Sequence, residues 1–95
     1  MRLTTYQQQA IKKHFLKIFK EGEIYLFGSR VDNSAKGGDI DLYLVVPDFK
    51  DLAIKKVNFL VSLKQDIGEQ KIDVVFDRGR ERAIDKIAKE KGVRL

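Results

Sequence analysis

The sequence predicts an α/β (α+β) domain in which a small mixed β-sheet carries helices packed on one face. Three observations lead there. Apolar residues recur at three- and four-residue spacing over 5–20, 50–65 and 80–91. Short apolar or alternating runs occupy 24–27, 39–46 and 71–76. The two kinds of segment alternate along the chain, as mixed or parallel sheets with crossing helices require. At 95 residues the chain is expected to be one domain, 1–95, burying roughly 60–65% of its unfolded surface.

The first helix, 5–20, presents Ile11, Phe15, Ile18 and Phe19. Thr4 with Gln7, or Thr5 with Gln8, offers a capping-box start, and Gly22 a stop. His14 lies on it with no second histidine and no cysteine in reach, which makes it a surface or boundary residue. Ile24-Tyr25-Leu26-Phe27 reads as a buried strand closed by Gly28. Residues 30–38 are polar and end in Gly37-Gly38, a turn signal. Asp39 to Val46 is the clearest strand. After Pro47-Asp48 a second helix spans 50–65, with Leu52, Val57, Leu60, Val61 and Leu63 as its apolar side. Lys71 to Phe76 forms a third strand. A last helix over 80–91 carries Ile84, Ile87 and Ala88 and stops at Gly92.

Composition narrows the function classes. With 43% hydrophobic and 35% charged residues the chain is globular rather than disordered. The absence of cysteine excludes disulfides and thiolate metal sites and suits a reducing cytoplasm. Apolar runs fall far short of a membrane span, and Met1 to Thr5 lacks the apolar core of a signal peptide, so no membrane association is expected. The net charge is +5 and the pI about 9.5, but the basic residues are interleaved with Asp and Glu. They read as solvated helix faces, and nucleic acid is not expected as a direct ligand.

The chemistry concentrates on the strands. In Asp39-Ile40-Asp41-Leu42-Tyr43-Leu44 the apolar Ile40, Leu42 and Leu44 face one way, and Asp39 and Asp41 the other. Residues two apart on a strand lie about 6.5–7 Å apart, so two carboxylates can lean onto one cation. Ile72-Asp73-Val74-Val75-Phe76 repeats the pattern, and Asp73 joins the same open face if the strands are neighbours. Three carboxylates so placed repel one another unless a cation lies among them. Magnesium takes a few carboxylates plus phosphate oxygens, and two such ions would clamp an in-line phosphoryl transfer. The plainer reading is three aspartates on a wet sheet face. Gly28-Ser29-Arg30 shifts the balance: a glycine closing a strand lets backbone approach a ligand, and Ser29 adds a donor toward phosphate. Arg30 would add charge there, or is an exposed loop arginine. Gly-Ser, nine residues, then Asp-Ile-Asp-Leu, with a later strand aspartate, is a far more specific pattern than any of its parts.

The stretch LFGSRVDNSAKGGDIDLYLVV at 26–46, extended by KIDVVF at 71–76, resembles the active-site segment of the DNA polymerase β-like nucleotidyltransferase superfamily. Within it the chain resembles the minimal nucleotidyltransferases, MntA-type antitoxins of HEPN/MNT toxin–antitoxin pairs. The resemblance implies the polymerase β-like nucleotidyltransferase fold. It implies metal ligation and catalysis by Asp39, Asp41 and Asp73, with Asp73 helping to activate the attacking hydroxyl. Gly28, Ser29 and Arg30 would bind the nucleotide. The implied cofactor is Mg2+, two ions, with ATP as substrate. The implied reaction transfers AMP to a hydroxyl on a HEPN-domain toxin, giving a cytoplasmic hetero-oligomer. Many members have a glycine soon after Gly-Ser where this chain reads Val31-Asp32-Asn33. Larger members also carry a further domain for base and acceptor, so the acceptor site is expected to be built with another chain. The rival reading is a non-catalytic nucleotide-binding antitoxin that neutralises its partner by contact. Retention of all three aspartates favours the enzyme.

Overall fold

The computed structural model describes residues 3–31, 38–79 and 82–95, and of Ser29 the backbone only. Helix α1 spans Thr5–Phe19 and strand β1 Glu23–Phe27, followed by a 3-10 turn at Gly28–Arg30. Strand β2 spans Ile40–Val45, helix α2 Leu52–Ile67, strand β3 Ile72–Phe76, helix α3 Ala83–Lys91 and strand β4 Val93–Arg94. None of the helices among the described residues is long and apolar enough to cross a membrane.

Local chemistry sets the ends of α1. The Thr4 hydroxyl accepts from Gln7 N at 3.0 Å, and the Gln7 side-chain oxygen accepts from Thr4 N at 3.0 Å. The capping box is therefore the Thr4–Gln7 pair, and Gln8 instead donates to Leu3 O. The helix closes at Lys20, whose N–H bonds Leu16 O. Gly22, at φ 132°, then makes the turn into β1, where a side chain would collide with Val45 O.

The strands form one mixed sheet in the order β3-β2-β1-β4, with β1 antiparallel to β2 and β4, and β2 parallel to β3. The even-numbered Ile24, Leu26, Ile40, Leu42, Leu44, Ile72, Val74 and Phe76 are all buried. They form one face with α1 and α2 against it. Phe19 is the centre of that layer, with ring centroids 5.3 Å from Phe15, 6.0 Å from Phe59 and 5.8 Å from Phe76.

Helix α2 turns inward only part of the side its apolar residues suggest, with Leu60 packed against the core and Val57 and Val61 turned out. Leu52, Phe59 and Leu63 are buried, whereas Val57 and Val61 are 58% and 51% exposed. At about 100° per residue, Phe59 and Leu63 fall within roughly 20° of Leu52, and Val61 falls opposite it. Val57 and Val61 are therefore corrected to the outer side. His14 is buried, and its Nε2 lies 2.9 Å from Asp66 Oδ2, tying α1 to α2.

Two of the helices cover one face as expected, and α3 lies over the other. There the fully buried Tyr43 donates its hydroxyl to Asp85 Oδ1 at 2.6 Å. Arg82 holds the same carboxylate from Nε and Nη2, both at 3.0 Å, and donates to Phe76 O at 2.8 Å. Strand β4 has no counterpart in the sequence reading. It pairs with β1 at Tyr25↔Arg94 and Leu26↔Val93, and two residues are too few to show any period.

Candidate active site

The open face of the sheet is built from odd-numbered positions. In the parallel register of β2 and β3, Asp41 stands directly beside Asp73, and Ile40 beside Ile72. One step earlier, Ile40 N bonds Lys71 O at 3.0 Å, which sets Lys71 alongside Asp39. The Lys71 ammonium lies 3.4 Å from Asp39 Oδ2. Four charged side chains thus share one end of one face in two rungs, Asp39 with Lys71 and Asp41 with Asp73.

The rungs differ in sign. The first is an ion pair. The second sets two carboxylates side by side, and Asp41 is half-buried while Asp73 is exposed. Burial, then the negative charges of Asp73 and Asp39, push the Asp41 carboxyl above the usual range, and Lys71 pulls the other way. This is the electrostatic state of a site short of positive charge.

The turn after β1 closes against these carboxylates. Phe27 is the antiparallel partner of Asp41, so Gly28 follows one residue past it. Gly28 sits at φ 78°, and a side chain there would overlap Asp41 Oδ2 and come within 3.3 Å of its Cγ. The glycine therefore gives the Asp41 carboxylate its place. Val31 N bonds Gly28 O at 3.2 Å, closing the 3-10 turn. Arg30 donates from Nε to Gly38 O at 3.2 Å and from Nη2 to Gln70 Oε1 at 3.3 Å, linking the turn to the α2–β3 connection. The side chain of Ser29 lies outside the described residues, as do Asp32, Asn33 and Gly37 of the loop.

A concavity of about 610 Å³ opens over the Asp41–Asp73 rung. Phe27, Val75 and Ile84 of α3 give it apolar walls on one side and Lys56 and Leu60 of α2 line it from the other, so α3 borders the site through its Tyr43–Asp85–Arg82 anchor. Among the described residues, no three His, Cys, Asp or Glu side chains form a group that would hold a metal ion as they stand. The donor set nonetheless fits a hard divalent cation. It consists of carboxylate oxygens alone, and a lysine ammonium already serves as stand-in positive charge for one of them.

Asp39, Asp41 and Asp73 are thus brought to one face as the alternation implies, and Gly28 is brought against Asp41. The sequence reading missed Lys71, although it shares the two-residue period of Asp73. It also missed Tyr43 and Asp85, whose pairing joins distant segments and leaves no local mark.

Residues 9–95 match the family described as "Nucleotidyltransferase domain". No curated protein and no solved structure matches the chain.

Proposed function

The chain belongs to the nucleotidyltransferase domain family, and from that premise we propose that it moves AMP from ATP to a hydroxyl on a partner HEPN toxin, acting as a cytoplasmic antitoxin. The observation that carries the catalytic reading is the Asp41–Asp73 rung with Gly28 closed against Asp41. Asp39, Asp41 and Asp73 would hold Mg2+, two ions, which when bound offsets the charge of the triphosphate and of the leaving pyrophosphate. Gly28 and Ser29 would admit the phosphates to the turn, with Arg30 adding charge beside it. Asp73, the exposed carboxylate of the rung, would orient an incoming hydroxyl and take its proton. The hydroxyl oxygen bonds the α-phosphorus, the bond from that phosphorus to pyrophosphate breaks, and the pyrophosphate leaves with the electron pair.

A protein acceptor suits an open sheet face that excludes little water by itself. A second reading draws on α2. Its exposed Ile54, Val57 and Val61 lie on the far side of the sheet from the carboxylates. A partner docked there would be neutralised by contact, leaving the nucleotide site uninvolved.

Intact-mass spectrometry of the mixed pair with ATP and Mg2+ separates the readings. Transfer adds one AMP to the partner, and the addition disappears with Asp41→Asn. A partner inhibited yet unmodified favours contact. Rapid transfer to small molecules with no partner present overturns the protein acceptor.

A further inference from the structure

We infer that Lys71 is the resident counter-ion of the carboxylate face, one that a divalent cation must displace from Asp39, so that Lys71 sets how tightly the chain takes up metal before nucleotide arrives. The inference rests on the metal-dependent reading above. Three observations carry it.

The first is placement. Lys71 and Asp73 are two apart on one chain segment, Asp39 and Asp41 two apart on its neighbour, and the bond from Ile40 N to Lys71 O locks the segments side by side. Lys71 therefore starts from the same face as the carboxylates. The second is pairing. Its ammonium lies 3.4 Å from Asp39 Oδ2, and its charge also reaches Asp41. An ammonium there uses Asp39 oxygen that a metal would need, and repels any cation held by Asp41 and Asp73.

The third is exposure. The Lys71 and Asp39 side chains are 73% and 39% exposed. A surface pair of this kind is weak, and a lysine on its flexible four-carbon stem can leave it. Lys71 is thus a competitor rather than a lock. It relieves the crowded carboxylates without metal and yields to an ion that brings two charges. A nucleotide triphosphate favours the exchange, because its phosphates offer the displaced ammonium a new partner.

Mn2+ titration of the full chain without nucleotide, followed by electron paramagnetic resonance of the free ion, tests this. Lys71→Gln should bind Mn2+ about three- to tenfold more tightly than the unaltered chain. Lys71→Arg, which keeps the charge, should bind no more tightly than the unaltered chain. The gain in Lys71→Gln should shrink as salt is raised to about 0.5 M. Equal or weaker binding by Lys71→Gln overturns the inference while leaving the metal-dependent reading intact, as does Lys71→Arg binding as tightly as Lys71→Gln. Failure of the unaltered chain and Lys71→Gln alike to take up Mn2+ overturns both.

Discussion

The Asp41 carboxylate occupies the space that a side chain at Gly28 would fill. This contact joins the two halves of the motif, which lie thirteen positions apart in the chain and one step apart across the β1–β2 pair. Gly28→Ala would meet both a φ of 78° and the Asp41 oxygen. The left-handed backbone alone should cost about 1–2 kcal/mol, lowering Tm by roughly 5–15 °C. The proposed site predicts a Tm rise with Mg2+ and ATP, and the displaced carboxylate should abolish it, which differential scanning fluorimetry reads directly.

Asp41→Asn should separate stability from ligand binding. Without metal, burial and the negative charges of Asp73 and Asp39 disfavour the charged form of Asp41, so the amide should leave Tm unchanged or raise it by roughly a few degrees. The same variant should lose the Mg2+–ATP shift. Asp73→Asn, at an exposed position, should change Tm little and lower turnover by about 10²–10⁴ while nucleotide affinity moves far less. A marked fall in the metal-free Tm of Asp41→Asn would show that its charge is structurally needed.

Acid should release α3 first. Arg82, then Tyr43, hold the Asp85 carboxyl below the usual carboxylate range, and Lys89, then the Gly79 N–H, do the same for Asp77. For a carboxylate whose folded value is the lower one, the stabilisation is fully present above its unfolded value, near pH 3.9. It is lost as pH falls through the folded value. Protection of the amides in 83–91 should therefore fall below about pH 4, ahead of that of β1 and β2. Asp85→Asn should show fast exchange in α3 already at neutral pH. Protection of α3 equal to that of β1 and β2 down to global unfolding would contradict this anchoring.

Helix α2 has one side in the core and another, with Ile54, Val57 and Val61, that is exposed. Phe59→Ala should cost about 3–5 kcal/mol, since the ring is fully buried beside Phe19. Val61→Ala should change stability by less than about 0.5 kcal/mol. Val57→Asp with Val61→Asp should keep the fold, read by circular dichroism, and, if the contact reading holds, weaken capture of the proposed HEPN partner in a pull-down. Comparable destabilisation by Phe59→Ala and Val61→Ala would return Val61 to the core.

Much of this protein was legible in the sequence because the signals are local. A strand's two-residue period sends Asp39, Asp41 and Asp73 away from Ile40, Leu42 and Ile72 whatever the rest of the chain does. The Thr4–Gln7 cap needs only one helical turn. Which apolar residues of α2 turn inward was only partly legible, because Leu52, Val57, Leu60 and Val61 are equally apolar and only the fit against Phe19 selects Phe59 over Val57 and Val61. The parallel register that sets Asp41 beside Asp73 was decided by the tertiary structure, since α2 returns the chain from β2 to β3 and the even-numbered apolar residues lock the alignment. The overlap of Gly28 with Asp41, the ion pair of Lys71 with Asp39 and the bond of Tyr43 to Asp85 each join segments distant in the chain. Their energies depend on packing across the whole sheet, which no local window of sequence contains.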